Sequence, residues 1–286
     1  MKNLPTLVLS AMIAAVVAWL VGQGGGATAA DAEPHTTRIL ATQTIRCGYI
    51  PAPPGLTIDP NTKAMSGFDY DIMTAIGKKL NMSIEWVEEV NWGTSGQAIQ
   101  SGRIDMLCNT NWADPRKARQ VYYSTPYAYN PVYAVVRYND MRFDNSLAPA
   151  NSPEVIMAGY DGDPSMDIVK QDYPLAKPFA VPDMVSLGEF WETLATKKAD
   201  MAFVSYAYVL DYLEKNPGKL KVLSGLPPVR VYPSALELAQ EPRLKNMIDR
   251  AVEELLLSGE IDTLLVRYFG TDPHMYYRAW RPVGNS

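Results

Sequence analysis

The chain has very few residues of the kinds that bind metal ions or perform nucleophilic catalysis. Among its 286 residues are two cysteines, Cys47 and Cys108, and two histidines, His35 and His274. Their spacing matches no zinc-site pattern, so no metal site and no cofactor is predicted. The sequence also shows no Ser-His-Asp set and no Cys-His pair, so we predict no catalytic residue and no enzymatic activity.

Positive charge is also scarce. The chain has 26 Lys and Arg against 31 Asp and Glu, which gives a formal net charge of -5. An acidic chain does not attract phosphate backbones, so nucleic acid is not an expected partner. In contrast, the chain is rich in proline and tyrosine, with 22 and 17 residues respectively. They predict many sharp chain reversals and amphipathic surfaces or a binding cleft.

The N-terminus has the pattern of a secretory signal peptide. A short basic start is followed by an uncharged apolar run over residues 4–22 and a glycine-containing break over 23–26. The small-x-small sequence at residues 27–29 is the pattern that signal peptidase reads. We therefore predict that residues 1–30 are removed and that the protein is exported to the periplasm. The alternative is an uncleaved membrane anchor, because the apolar run is long enough to span a bilayer.

Strand and helix patterns alternate along the rest of the chain. Residues 44–109 follow the order β-α-β-α-β, which predicts a mainly parallel sheet with right-handed crossovers. The first and third of these strands are expected to be neighbours. A second α/β run begins at residue 155, and an apolar stripe predicts a trailing helix over residues 241–268.

Export and this strand order change the interpretation of the two cysteines. Cys47 and Cys108 lie in short runs that predict buried strands, and the predicted sheet makes those strands neighbours. Adjacent strands lie about 4.8 Å apart, which is compatible with a disulfide. In an oxidising compartment two lone cysteines usually pair. A disulfide and two buried free thiols both remain open.

Several segments, in this order and spacing, resemble the extracellular solute-binding proteins of family 3, the amino-acid type that feeds ABC importers. The segments are Arg46-Cys47-Gly48-Tyr49, Gly67-Phe68-Asp69-Tyr70-Asp71-Ile72, residues 98–106, residues 118–127, Gly259-Glu260-Ile261-Asp262 and Arg267-Tyr268-Phe269-Gly270. The resemblance implies an α/β fold of type II, a two-lobed clamp in which each lobe is a mainly parallel sheet flanked by helices. It also implies two hinge crossings, a monomer, a small-molecule ligand and a membrane permease as partner.

With the resemblance, the chain divides into segments with expected roles. These are a signal peptide (1–30), a flexible N-terminal segment (31–43), the first part of lobe 1 (44–134), lobe 2 (135–230), a return to lobe 1 (231–270) and a C-terminal tail (271–286). The expected function is capture of a small polar solute in the cleft between the lobes and its delivery to the permease.

This chain departs from the family pattern at two positions, the one where relatives bind the carboxylate of an amino acid and the one where they bind its ammonium group. Where relatives place the arginine that grips the ligand carboxylate, this chain has Lys117, which is a point charge rather than a planar fork. Arg116 takes the place of the relatives' arginine only if the helix start shifts by one residue. Where relatives place the aspartate that holds the ligand ammonium, this chain has Ser205, followed by Tyr206. An amino-acid-like solute, or an amine or organic-acid relative, is therefore a better candidate than a standard α-amino acid.

Other candidates for the cleft follow from their positions. The strand ends and loops of lobe 1 contribute Tyr49, Trp92, Asn109, Thr110, Asn111 and Trp112. For the tryptophans the other interpretation is packing within lobe 1, and for the Asn-Thr-Asn run it is turn chemistry. In lobe 2, Asp161 and Gly162 precede a helix that Asp163 caps. Asp161 is then the candidate partner for a cationic group of the ligand.

Two alternative functions stay open at this point. A ligand sensor or partner protein that no longer serves a transporter would also fit the altered clamp residues. A periplasmic enzyme on the same fold is less well supported, since no catalytic set of residues is present in the sequence.

Overall fold

The computed structural model describes residues 33–279. The predicted signal peptide and residues 280–286 of the predicted tail therefore lie outside the described residues. No helix within residues 33–279 is both long enough and apolar enough to cross a membrane.

The elements follow the predicted alternation. The helices are α1 (Pro34–Thr42), α2 (Phe68–Leu80), α3 (Ser95–Gln100), α4 (Pro164–Asp172), α5 (Leu187–Ala195), α6 (Ala207–Lys215), α7 (Pro242–Ser258) and α8 (Glu260–Phe269), with 3-10 turns at Lys117–Arg119 and Ala148–Ala150. The strands are β1 (Thr44–Tyr49), β2 (Thr57–Ile58), β3 (Met65–Ser66), β4 (Ser83–Glu89), β5 (Met106–Trp112), β6 (Tyr122–Tyr123), β7 (Ala128–Arg137), β8 (Ile156–Tyr160), β9 (Lys177–Val181), β10 (Met201–Ser205), β11 (Leu220–Val222), β12 (Arg230–Leu238) and β13 (Tyr277–Arg278).

One mixed sheet runs through both halves of the described chain. Its central order is β4-β1-β5-β12-β7-β10-β8-β9. Strand β1 pairs in parallel with both β4 and β5, as the β-α-β-α-β pattern predicts. In the other half, β8 pairs in parallel with β9 and β10. The fold is the predicted α/β clamp of type II with two lobes, each built on a largely parallel group of strands.

The hydrophobic core is divided in the same way. One cluster packs β1 and β5 against α2, α7 and α8, and we call this part lobe 1. Ile248 and Leu255 of α7 belong to that cluster, so the trailing helix does return to the first α/β run. Two further clusters, around Phe203 and Trp191, surround β8, β9 and β10. We call this part lobe 2.

Two long strands join the lobes. β7 and β12 pair with each other in antiparallel fashion, from Ala128 opposite Ser234 to Val132 opposite Arg230. Beyond this stretch, β12 pairs with β5 of lobe 1 and β7 pairs with β10 of lobe 2. A paired ribbon between two cores is a position at which a small backbone rotation can move one lobe relative to the other.

The N-terminal segment differs from its prediction. Residues 31–43, predicted to be flexible, contain α1, whose Ile39 is fully buried in the lobe 1 core. The carboxylate of Glu241 accepts hydrogen bonds from the backbone N–H groups of His35 and Thr36, at 2.9 and 2.7 Å, and satisfies two donors at the helix start. Because these partners are more than 200 residues apart, no local sequence pattern could reveal them.

Cys47 and Cys108 form a disulfide in the structure, with their Cα atoms 5.4 Å apart. Cys47 lies in β1 and Cys108 in β5, which are paired strands of lobe 1. Both residues are fully buried. The bond therefore links two neighbouring strands across the crossovers that contain α2 and α3.

Replacing both cysteines with alanine is expected to destabilise the protein by about 4 kcal/mol, because a cross-link over a separation of 61 residues restricts the unfolded chain. The free energy of unfolding is measured by chemical denaturation of wild type and Cys47→Ala/Cys108→Ala. Wild type treated with a reductant serves as a control and is expected to lose a similar amount. Equal stability of the variant and untreated wild type would contradict the prediction.

Candidate ligand-binding cleft

A cavity of about 590 Å³, partly open to solvent, lies between the lobes. Lobe 1 contributes the residues at the end of β5 and the loop before α3. Lobe 2 contributes the ends of β8 and β10, the starts of α4 and α6, and the first half of α5. The lining residues are Ala52, Trp92, Thr110, Asn111, Trp112, Tyr160, Asp163, Ser165, Leu187, Phe190, Trp191, Phe203, Val204 and Tyr208.

The walls of this cavity are aromatic and are supported by other aromatic rings. The ring of Trp112 stacks on Tyr232, with centroids 4.7 Å apart and an interplanar angle of 7°. Tyr160 stacks on Phe190 at 4.7 Å, and Phe190 meets Trp191 edge to face at 4.9 Å. Because these four rings, of Trp112, Tyr160, Phe190 and Trp191, are each held by a neighbouring ring, this part of the wall is largely preformed.

Asp163 is the charged residue among those that line the cavity. It is the N-cap of α4, where its Oδ1 accepts a hydrogen bond of 2.7 Å from the backbone N–H of Ser165. Pro164 follows at the first helical position and has no N–H to offer. Burial raises the pKa of Asp163. The start of α4 therefore presents a carboxylate to the cavity rather than free N–H donors.

Lys117 does not line the cavity, because its ammonium group is held inside lobe 1. Its Nζ lies 3.1 Å from Oε1 of Glu237, a residue with 0% exposure, and also donates to the backbone oxygen of Trp92. Ser95 and Asn111 donate two further hydrogen bonds to the Glu237 carboxylate. The cation predicted to grip a ligand carboxylate is thus neutralised by a protein carboxylate.

Arg116 is also committed to protein partners. Its guanidinium pairs with Asp114, at 2.8 Å, and with Asp167 of α4. Asp114 belongs to lobe 1 and Asp167 to lobe 2, so this arginine bridges the lobes at the edge of the cleft. The one-residue shift that would place Arg116 in the ligand site is not seen.

A second bridge between the lobes connects two predicted site residues. The indole Nε1 of Trp112 donates a 3.0 Å hydrogen bond to Oγ of Ser205, which is almost fully buried at the end of β10. Tyr206 is not among the cavity-lining residues, and its ring packs near Tyr133 and His274. In its place Tyr208, two residues further along, lines the cavity.

The Asn-Thr-Asn run at the end of β5 has mixed roles. Asn109 is fully buried and hydrogen bonds both the N–H and the carbonyl of Ile50, at 2.7 and 2.9 Å. Asn109 and Thr110 also donate to the carboxylate of Asp69. Thr110 and Asn111 line the cavity, whereas Asn109 does not. Asn109 therefore orders the strand ends on which the site is built.

Three other candidates lie away from the cavity lining. Tyr49 packs edge to face on Trp86, with ring centroids 6.2 Å apart. Asp161 and Gly162 are exposed, and they lie where lobe 2 comes closest to Gly93 of lobe 1. A Cβ placed on Gly93 would come within 3.2 Å of the Asp161 carbonyl and 2.6 Å of the Asp183 carboxylate. These residues form a contact between the lobes.

Sequence reasoning did not include several cavity residues of lobe 2. These are Tyr160, Asp163, Ser165, Leu187, Phe190, Trp191, Phe203, Val204 and Tyr208, together with Ala52 of lobe 1. Asp163 was predicted only as a helix cap. Phe190 and Trp191 follow the capping box that starts α5, and that motif was the signal that could have placed them near a strand end.

Comparison with known families gives a match over most of the chain. The profile of the bacterial extracellular solute-binding proteins, family 3, matches residues 45–271. A Haemophilus influenzae protein described as a probable amino-acid ABC transporter-binding protein is 21% identical, over 89% of this chain and 96% of its own. The probable amino-acid-binding protein YxeM of Bacillus subtilis is 24% identical, over 73% of this chain and 77% of its own.

Solved structures show the same fold. An ancestral amino acid-binding protein, described as a precursor of cyclohexadienyl dehydratase, superposes with a TM-score of 0.70 at 23% identity, covering 82% of this chain and 98% of its own. An ancestral arginine-binding protein bound to glutamine superposes with a TM-score of 0.67 at 24% identity, covering 80% of this chain and 99% of its own.

Removing the Lys117 ammonium is expected to destabilise the protein. In Lys117→Met the buried Glu237 carboxylate loses its cation, which costs about 3–5 kcal/mol. In Lys117→Met/Glu237→Gln neither charge is present, and most of the loss is expected to be recovered. Unfolding is measured by chemical denaturation, with the exposed ion-pair variant Lys215→Met as control. Equal destabilisation in the single and double variants would contradict the pairing.

A second prediction concerns Asp69, whose pKa is raised to about 6 by burial despite hydrogen bonds from Thr110 and Asn109. The folded state holds this proton more tightly than the unfolded state, so stability falls as the pH rises from about 4 to about 6. Relative to Asp69→Asn, wild type is expected to lose up to about 3 kcal/mol of unfolding free energy over that range.

The measurement is chemical denaturation of wild type and Asp69→Asn at pH 4 and pH 7. The exposed-site variant Asp211→Asn is the control, and its difference from wild type is expected to be the same at both pH values. A constant difference between wild type and Asp69→Asn would show that Asp69 does not take up the proton.

Proposed function

Because the chain belongs to family 3 of the bacterial extracellular solute-binding proteins, we propose that it captures a small solute between its lobes and presents it to an ABC-type permease. In this proposal the N-terminal segment directs export, and the protein works as a monomer in the periplasm. The curated relatives described above, amino-acid-binding proteins by their names, support the assignment to transport.

The observation that carries this proposal is the aromatic cavity at the junction of the lobes. It is formed by strand ends and helix starts of both lobes, which is where α/β folds bind ligands. Polar bridges such as Trp112–Ser205 and Arg116–Asp167 join the lobes beside it. A solute in this position contacts both lobes at once, so it favours the closed arrangement over an open one.

The solute is not held as a standard α-amino acid is held. Such a ligand needs a cation for its carboxylate, and Lys117 is occupied by Glu237. It also needs a carboxylate for its ammonium, and at the expected position Ser205 accepts a bond from Trp112 instead. We therefore propose a ligand outside the standard amino acids.

A thermal-shift screen of the protein without residues 1–30 tests the proposal, using amino acids, amines, organic acids and opines. A ligand at a hundred times its Kd is expected to raise the apparent stability by roughly 2.7 kcal/mol. If nothing in this panel changes the melting temperature, the proposal that the cleft receives a small solute fails.

Gly93→Ala provides a test of closure with the ligand found in the screen. The added methyl group would lie 2.6 Å from the Asp183 carboxylate and 3.2 Å from the backbone oxygen of Asp161, both in lobe 2, so we expect at least tenfold weaker binding with little change in melting temperature. Affinity is measured by calorimetry, and small-angle scattering reports closure. Gly225→Ala is the matched control, since no atom lies within 4 Å of its new Cβ. Unchanged affinity in Gly93→Ala would show that binding does not require this contact.

A further inference from the structure

The cleft offers a ligand negative charge but no free positive charge. Among the described residues, Arg116 and Lys117, the cations that follow the cavity-lining end of β5, are both paired with protein carboxylates. No lysine or arginine lines the cavity itself. A ligand carboxylate placed here would lie near the carboxylate of Asp163, and the charge of Lys117, which acts on Asp163, is already matched by Glu237.

The start of α4 reinforces this preference. A helix N-terminus attracts anions through its free N–H groups. Here the carboxylate of Asp163 occupies that position, and Pro164 removes one of the N–H donors. Asp163 is only partly buried because it faces the cavity. The position that would receive an anion therefore presents an anion of its own.

The aromatic walls suit the same kind of ligand. Trp92, Trp112 and Tyr160 line the cavity together with Phe190 and Trp191. An ammonium group over the face of such a ring is attracted by about 0.5–2 kcal/mol, with tryptophan the best partner. Aromatic faces also accept an apolar or aromatic body next to the charged group. The cavity thus combines one carboxylate with ring faces.

The approach to the cavity is acidic as well. A groove that shares Ala52, Trp92 and Leu187 with the cavity continues outward between the lobes and is also lined by Glu89 and Asp183. Asp161 is close enough to Asp183 to interact with it electrostatically. Neither Lys nor Arg is among the residues that line this groove. A groove lined by charges of one sign raises the local concentration of ligands of the opposite sign.

We propose that the cleft binds an organic monocation, an amine or quaternary ammonium on an apolar or aromatic body, without a carboxylate. Asp163 supplies the counter-charge, the tryptophan and tyrosine rings surround the cation and its body, and Glu89 and Asp183 attract it to the groove. This assignment of ligand class rests on the proposed solute-binding function.

Matched ligand pairs test the ligand class by calorimetry on the protein without residues 1–30. The amines 2-phenylethylamine and choline are compared with their carboxylated counterparts, phenylalanine and betaine, and 2-phenylethanol serves as the uncharged analogue. We expect at least one amine to bind at least tenfold more tightly than its carboxylated counterpart. Tighter binding of the carboxylated member in both pairs overturns the monocation proposal but supports solute binding. If no member of this set binds, the monocation proposal is overturned. If no compound in the thermal-shift screen binds either, the proposed solute-binding function fails as well.

Asp163→Asn tests the counter-charge with the amine that binds. Asparagine caps a helix about as well as aspartate, so the fold is expected to persist while amine affinity falls at least tenfold. Binding of 2-phenylethanol, if measurable, is expected to change little. Glu253→Gln, on the surface of α7, removes a charge that lines neither the cavity nor the groove and is expected to leave the affinity unchanged. Equal amine affinity in wild type and Asp163→Asn would overturn the role of Asp163.

The groove is tested separately by association kinetics. Glu89→Gln is expected to slow amine association several-fold at low ionic strength and to leave dissociation nearly unchanged, because Glu89 lines the groove but not the cavity. High salt is expected to remove the difference. An identical association rate at low salt would exclude Glu89 from the approach path.

Discussion

A single buried carboxylate determines which charges remain available in the cleft. Glu237 lies on β12 inside lobe 1 with 0% exposure, and an ionised group in that position must be matched by a cation and hydrogen bonds. Lys117 provides the cation, while Ser95 and Asn111 provide hydrogen bonds. This arrangement withdraws from the cleft the lysine that its position in the family pattern predicts as a ligand contact.

The same group of contacts explains why the aromatic rings dominate the site. Lys117 also donates to the carbonyl of Trp92, so the ion pair helps fix the loop that places this indole at the cavity. On the other side, Trp112 is held between Tyr232 and the hydroxyl of Ser205. Lys117 and Ser205, which stand where the family pattern places ligand contacts, instead hydrogen bond Trp92 and Trp112 and help to fix these two residues. The cavity therefore presents aromatic ring faces and one carboxylate, Asp163.

Sequence reasoning predicted the parts of the fold that follow from local pattern and connection rules. The position of β1 between β4 and β5 follows from the β-α-β-α-β order, whereas the return of α7 to lobe 1 needed the family resemblance. α1 was missed because its stability depends on Glu241, which is distant in sequence. Phe190 and Trp191 were missed because their exposure to the cavity depends on how two lobes meet, which hydrophobic spacing does not encode.

Charge also explains how a cation could act as the closing ligand. In the structure Asp163 of lobe 2 interacts electrostatically with two residues of lobe 1: burial is the main cause of its raised pKa, hydrogen bonds from Ser165 and the charge of Lys117 lower the pKa, and repulsion from Asp114 raises it. Arg116 offsets part of that repulsion by pairing with Asp114 and Asp167 at the edge of the cleft. Under the monocation proposal, a cation at Asp163 would offset more of this repulsion. Because the repulsion acts between the two lobes, such a ligand would have the differential affinity for the closed form that closure requires.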